Sequence, residues 1–238
     1  MMQRPEQLVL ADIAGILPSH PFISIAGAGG KTTLMFLLAE NLPGAMVTTT
    51  TTKVGNYQIE RVSTRVPLDD FPPEDPGKII WTSPSLQPQN GKIYGCSLPE
   101  FNKLAEQCQS LNLTLIAETD GAARRHIKAP ADHEPNIPGV CNVCFYLVGL
   151  DVLGKPLNAG NVHRPEILSK LTGAAEEGGP LTVKSIIDLL EHPSGGLKNV
   201  PDGALRIACL THANTADRIA AASVISENLR QYDYIFIH

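Results

Sequence analysis

No apolar run in this 238-residue chain approaches the length of ~18 residues that a membrane-crossing helix needs. The first residues, Met1-Met2-Gln3-Arg4-Pro5, carry no signal-peptide pattern. There is no basic excess either. A formal charge of −5 sets the chain apart from dedicated nucleic-acid binders, which present a basic face. Long blocks of like charge, the mark of a disordered tail, are missing. The cysteines number five, an odd count that fits reduced thiols better than a disulfide framework. Internal repeats are absent as well. The expectation is a cytoplasmic protein whose partners are neither nucleic acid nor membrane.

Hydrophobic residues make up 43% of the chain, enough to bury a core. The length suits one α/β domain spanning 1–238, elaborated by a segment at about 54–98. The stretch that organises the rest is Gly27-Ala28-Gly29-Gly30-Lys31-Thr32-Thr33. It follows an apolar run, Phe22-Ile23-Ser24-Ile25-Ala26, and opens a helix at Leu34-Met35-Phe36-Leu37-Leu38. Strand, glycine loop and helix form the context that a phosphate-binding loop requires. Glycines let backbone N–H groups converge on an anion, and the helix N-terminus adds partial positive charge at the same point. In this reading residues 27–33 bind the phosphates of a nucleotide. Lys31 reaches the β and γ phosphates, and Thr32 ligates Mg²⁺. The loop is a shortened form of the G-x-x-x-x-G-K-[ST] signature, because Ile25 stands where its first glycine belongs.

Leu113-Thr114-Leu115-Ile116-Ala117-Glu118-Thr119-Asp120 reads as an apolar strand ending in carboxylates. Alternation with period two puts Glu118 and Asp120 on one side. Mg²⁺ takes oxygen ligands, and Glu118 is the candidate to hold it with Thr32. Asp120 then orients a water or an acceptor. Thr48 to Thr52 form a second unusual run. It is either a β-branched strand end or a set of hydroxyls, Thr49 and Thr50 among them, beside the γ phosphate, with Lys53 closing it.

Arg124-Arg125-His126-Ile127-Lys128 follows the carboxylates. It is either a solvated basic loop or an anion site, with Arg124 as an arginine finger and Arg125 and Lys128 on substrate. Asp132-His133-Glu134, between prolines, is a weaker candidate for a substrate pocket. Cys141-Asn142-Val143-Cys144 lacks a second pair at zinc spacing and reads as core cysteines. Asp151 and Lys155 lie on the loop after a strand at Phe145–Val148, where α/β sheets place ligand contacts. His163 and Arg164 follow. Thr211-His212-Ala213-Asn214 stands where guanine-specific proteins carry [NT]-K-x-D, but His replaces Lys and Asn replaces Asp. ATP and GTP therefore stay open.

For secondary structure, the patterns predict a helix from Glu6 to Leu17 and another from Leu98 to Cys108. A helix to about Leu190 is capped by Thr182, and one more reaches about Leu229. A last strand runs over Tyr232–Ile237. The proline-rich segment contains a strand at Lys78–Trp81 that pairs with Lys92–Cys96 across Asn90-Gly91 as a β-hairpin. The fold class is α/β, phosphate-loop NTPase-like, with a mostly parallel sheet flanked by helices.

Taken together, several motifs resemble the YqeC-type family. They are Gly27–Thr33, Thr48–Lys53, Glu118-Thr119-Asp120-Gly121-Ala122-Ala123-Arg124-Arg125, Lys128–Pro135, and Gly149–Asn158 with His163-Arg164-Pro165-Glu166. The similarity spans about Gly27 to Leu210. The family is named for accessory proteins of selenium-dependent molybdenum hydroxylases. The resemblance implies a phosphate-loop nucleotide-binding fold and a role in making or inserting a selenium- or molybdenum-containing cofactor. It also implies a molybdenum hydroxylase or a cofactor-handling protein as partner. Analogy with related variant-loop proteins suggests a homodimer.

Three readings follow. The leading one is a Mg²⁺-dependent nucleoside triphosphatase acting in cofactor maturation. The second is a kinase or other phosphoryl transferase, which uses the same positioning groups. The third is a non-catalytic, nucleotide-gated chaperone.

Overall fold

The computed structural model describes residues 4–173 and 178–238. The chain opens with β1 (Glu6–Leu8), α1 (Leu10–Ile16), β2 (Phe22–Gly27), α2 (Lys31–Asn41), β3 (Met46–Thr50) and β4 (Lys53–Gly55). It continues through β5 (Thr64–Pro67), β6 (Ile79–Ser83), β7 (Lys92–Tyr94), α3 (Leu98–Ser110), β8 (Thr114–Glu118) and β9 (Ile127–Lys128). The remainder is β10 (Val143–Gly149), β11 (Val162–His163), α4 (Pro165–Thr172), α5 (Val183–Glu191), β12 (Leu205–Thr211), α6 (Ala216–Asn228) and β13 (Tyr234–Ile237).

Among the described residues, nine strands form one sheet in the order β1-β13-β12-β10-β2-β8-β3-β6-β5. Every neighbouring pair in it is parallel. A parallel sheet needs crossover helices and is therefore covered on both faces, so its strands read as continuous apolar runs. β10 is an instance: all of Val143–Gly149 is buried. Alternation divides its side chains between two cores. Phe145 and Leu147 join Ile23, Ile25, Ile207 and Cys209 beneath α1 and α2. Tyr146 and Val148 join Ala208 and Leu210 on the other face, beneath α4, α5 and α6. The same face near β3 and β8 is closed by Phe101, Leu104 and Cys108 of α3. No helix among the described residues is long and apolar enough to cross a membrane.

Two sequence expectations need correction. The segment Glu6–Leu17 is not one helix. Its first residues form β1, which pairs with β13 at the sheet edge, and only Leu10–Ile16 is helical. Pro5 precedes and the backbone hydrogen bonds of residues 6–8 go to β13, a choice that local periodicity cannot see. The second correction concerns the hairpin. Asn90 and Gly91 do adopt left-handed φ values of 51° and 72°, but they close only a Gln89–Lys92 bridge. β7 pairs with β4, antiparallel, while β6 lies between β3 and β5 in the main sheet. The proline-rich segment is therefore partly an extension of the sheet. The expected cap holds: the Thr182 side chain accepts a hydrogen bond from the Ser185 N–H at the start of α5.

Candidate functional site

β2 ends at Gly27 and α2 begins at Lys31, at the C-terminal edge of the sheet and near its middle. That edge is where parallel α/β sheets bind ligands. The loop between them needs its glycines for contact as well as for conformation. Gly27, Gly29 and Gly30 have φ of +89°, +100° and +115°. A Cβ on Gly27 would stand 2.3 Å from the Leu147 carbonyl oxygen, and one on Gly29 would stand 2.8 Å from the Gly149 nitrogen. β10 thus presses directly on the loop. Ala28 N–H donates to Leu147 O at 2.9 Å, and Thr211 Oγ1 donates to Gly29 O at 2.6 Å. Gly30 caps α2 without a side-chain hydrogen bond, so the first-turn N–H groups have no capping side chain.

Beneath the loop, charges alternate in a buried chain. Lys31 Nζ donates to Gly27 O at 2.7 Å and lies 3.2 Å from Asp120 Oδ1 and 3.7 Å from Glu118 Oε1. Asp120 is fully buried and accepts from Gly27 N–H at 3.0 Å. Its Oδ2 is also 2.9 Å from Lys128 Nζ. Lys128, fully buried too, donates to Gly121 O at 2.7 Å and to Glu134 Oε2 at 2.6 Å. Arg164 Nη1 completes the chain at 2.5 Å from the same Glu134 oxygen. The short β9–β11 pair sets His163 opposite Lys128 and so brings Arg164 into place.

These contacts move Lys31, Glu118, Glu134 and His163 from their ordinary pKa values. Burial alone would lower the Lys31 pKa, but the Asp120 and Glu118 carboxylates more than offset it and hold the ammonium above its ordinary value. Burial pushes Glu118 up against the opposing pull of Lys31 and Thr32. Burial would also raise Glu134, yet hydrogen bonds and charge from Arg164 and Lys128 hold it at about 2. His163 is held below its usual range by burial and by the Arg164 and Lys128 charges.

Thr32 Oγ1 donates to Glu118 Oε2 at 2.8 Å, so the two expected metal ligands are adjacent. Thr49 and Thr50 lie at the end of β3, buried. Their hydroxyls donate to Thr82 O at 2.7 Å and to Glu118 O at 2.8 Å, where they clip β3 to its neighbours. Lys53 is exposed, with Nζ 5.8 Å from the Tyr94 ring centroid, outside the charged chain. Asp132 and His133 are exposed, and His133 Nε2 reaches Glu134 Oε1 only at 4.0 Å. Arg124 is exposed with φ of 60°, and Arg125 Nε donates to Ala159 O at 2.9 Å. Lys155 Nζ lies 2.9 Å from Asp151 Oδ2.

Some neighbours of the site were not among the expected residues. Gln58 Nε2 donates to Thr32 Oγ1 at 3.2 Å, tying the proline-rich segment to the loop helix. Nothing in its sequence surroundings signals that contact. His126 and His212 stack with ring centroids 4.5 Å apart. His126 stood inside a basic run and His212 at the end of a strand, so each had a positional signal but no partner. Beside the loop, a cavity of about 270 Å³ is lined by Gly30, Thr33, Leu37, His212, Asn214 and His238. A larger cleft of about 640 Å³ opens at the opposite strand ends, near Asn142, Leu205 and Asp233, away from the charged groups described above.

A sequence model of the family described as "YqeC protein" matches residues 23–166, which contain the loop, the carboxylates and the basic cluster. Over 227 residues the chain is 31% identical to the "uncharacterized protein YqeC" of Escherichia coli (strain K12), covering 89% of this chain and 83% of that protein. No solved structure matches it.

Proposed function

This chain belongs to the YqeC protein family, and from that premise we propose that it is a Mg²⁺-dependent nucleoside triphosphatase with a phosphate-loop NTPase-like fold. The observation that carries the reading is the placement of Lys31, tethered to Gly27 O and flanked by Glu118 and Asp120. A buried lysine tethered to a carbonyl of the glycine loop is poised to exchange that contact for a phosphate oxygen. The backbone N–H groups of the loop and the first turn of α2 receive the same phosphates.

The residues present suit Mg²⁺. Adjacent oxygens on an octahedral Mg²⁺ stand about 2.9 Å apart, and Thr32 Oγ1 and Glu118 Oε2 are 2.8 Å apart. Thr32 and Glu118 would hold the ion, which would supply positive charge to offset the charge of the phosphates. Asp120, buried beneath the loop, is a positioning residue: it fixes Lys31 and the Gly27 N–H. The cavity lined by Thr33, Leu37, His212, Asn214 and His238 is the place for the nucleoside. Neither Lys nor Asp of the guanine-reading motif stands there, so ATP and GTP are both substrates to be tested. The role we propose for this turnover is maturation of a selenium- or molybdenum-containing cofactor for a molybdenum hydroxylase, in line with the resemblance noted in the sequence.

The test is a thermal-shift panel of ATP, GTP, CTP and UTP, with and without Mg²⁺. Ligand at ~100 times its dissociation constant stabilises by about 2.7 kcal/mol. One nucleotide is expected to give a Mg²⁺-dependent shift that Lys31→Ala abolishes, accompanied by phosphate release. No shift with any of the four would overturn the reading.

A further inference from the structure

Three side chains at the same sheet edge form a cluster that the phosphate reading does not explain, although one of them, His212, also lines the nucleoside cavity. His126 precedes β9, Asp151 follows β10 and His212 follows β12. Each offers one ligand atom, and the three atoms lie within 4.8 Å of one another. His126 Nδ1 is 2.7 Å from Asp151 Oδ1. The two imidazole planes are only 9° apart in their stack. All three groups converge on Gly149: a Cβ there would meet His126 Cβ at 2.8 Å, Asp151 Oδ1 at 3.0 Å and His212 Cδ2 at 3.2 Å.

We propose that His126, Asp151 and His212 bind a divalent transition-metal cation of the zinc type, at a site separate from the Mg²⁺ expected at Thr32 and Glu118. Two imidazoles with one carboxylate suit Zn²⁺ and its neighbours, whereas Mg²⁺ prefers oxygen alone. Three protein ligands leave one position of a tetrahedral ion open. Ligands on such an ion stand about 3.4 Å apart. To reach that value the 2.7 Å contact between His126 and Asp151 has to open and the wider separations have to shorten, which needs rotation of the stacked rings; His126 is 40% exposed and His212 is exposed, so solvent-side space is present for it.

The surroundings fit an ion. Lys155 holds the other carboxylate oxygen of Asp151 at 2.9 Å, which fixes Oδ1 towards the histidines as an outer-shell partner does. A cavity of about 130 Å³ adjoins the cluster, lined by Arg124, Arg125, Lys155 and Asn161 together with His126 and Asp151. Its cationic wall suits a small anion in the open position. Gly149 also backs Gly29, so the cation and the phosphate loop share one backbone contact.

The experiment titrates the full chain, stripped with EDTA, with ZnCl₂ in a calorimeter while Mg²⁺ is in excess. Wild type is expected to bind one tight equivalent. Asp151→Asn, and His126→Ala combined with His212→Ala, should weaken it at least ~100-fold. Co²⁺ in place of Zn²⁺ should give visible ligand-field absorption in wild type and lose it in both variants. Circular dichroism confirms that the variants are folded, and Asp151→Asn keeps the side-chain shape. Lys31→Ala should retain Zn²⁺ binding in full, so failure of the nucleotide reading leaves this one standing. No tight Zn²⁺ in wild type, or equal binding in the variants, would show that the cluster is only a hydrogen-bonded His–Asp pair and overturn the proposal.

Discussion

A methyl group on Gly149 has no room, because the His126, Asp151 and His212 side chains close over its Cα. Gly149→Ala is therefore expected to weaken Zn²⁺ binding at least ~10-fold through displaced ligands. Gly121→Ala, with open space around it, should leave binding unchanged in the same titration. Lys128 shows the other kind of residue-scale constraint. Lys128→Met leaves Asp120 and Glu134 facing each other without their shared cation. Breaking a buried pair from one side costs about 3–5 kcal/mol, to be read in urea unfolding. Glu134 gives a pH signature. Its carboxyl sits at about 2 in the folded chain, below its ordinary value near 4.3 in an unfolded one. Stability from it is present above about pH 4.3 and is lost as pH falls towards 2. Glu134→Gln should be less stable at neutral pH and show a flatter loss across that window. An unchanged acid profile would refute the assignment.

Elements show where sequence pattern and tertiary context agree. The start of α3 is local: Ser97 accepts from the Glu100 N–H while the Glu100 side chain accepts from the Ser97 N–H. Ser-x-x-Glu before an apolar run announces this cap directly. Ser97→Ala should cost about 1 kcal/mol, a fall in Tm of about 2–4 °C. β3 shows the opposite case. Thr48, Thr49 and Thr50 read equally well as a strand end or as phosphate ligands. Only the neighbours show where the hydroxyls donate: β6 and β8 supply carbonyls to all three. β1 and the β4–β7 pair were missed for the same reason, since a strand of three residues is defined by its distant partner and not by its own periodicity.

At the scale of the molecule, the two-sided burial of the sheet governs the thiols. All five cysteines are free and buried. Burial raises Cys96 to about 11 and Cys108 and Cys144 to about 12. Burial pushes Cys141 and Cys209 well above the ordinary thiol range too. The C-x-x-C of Cys141 and Cys144 is thus part of the core beneath α3, as its sequence surroundings suggested. Native protein at pH 8 is expected to be inert to Ellman's reagent, with all five thiols reacting after denaturation. Rapid reaction of the native chain would contradict this packing. Binding of a nucleotide should slow the thiol reaction further in mild denaturant, because it raises the free energy of opening.

The α/β class, the glycine loop between β2 and α2, and the carboxylates ending β8 were legible in the sequence. Each depends on residues within one or two turns or strand lengths of one another, and glycine sterics, alternation and helix-end polarity act at that range. The order of strands, the alternating chain from Glu118 to Arg164, and the meeting of His126 with His212 were not. They join residues far apart in sequence, and what brings them together is the stacking of parallel strands whose C-terminal ends all emerge on one edge. Lys128 illustrates the division. The sequence showed a lysine in a basic run, and a solvated loop was a fair reading. The tertiary structure buries it completely between Asp120 and Glu134, whose carboxylates, with the Gly121 carbonyl, compensate the desolvation of its charge.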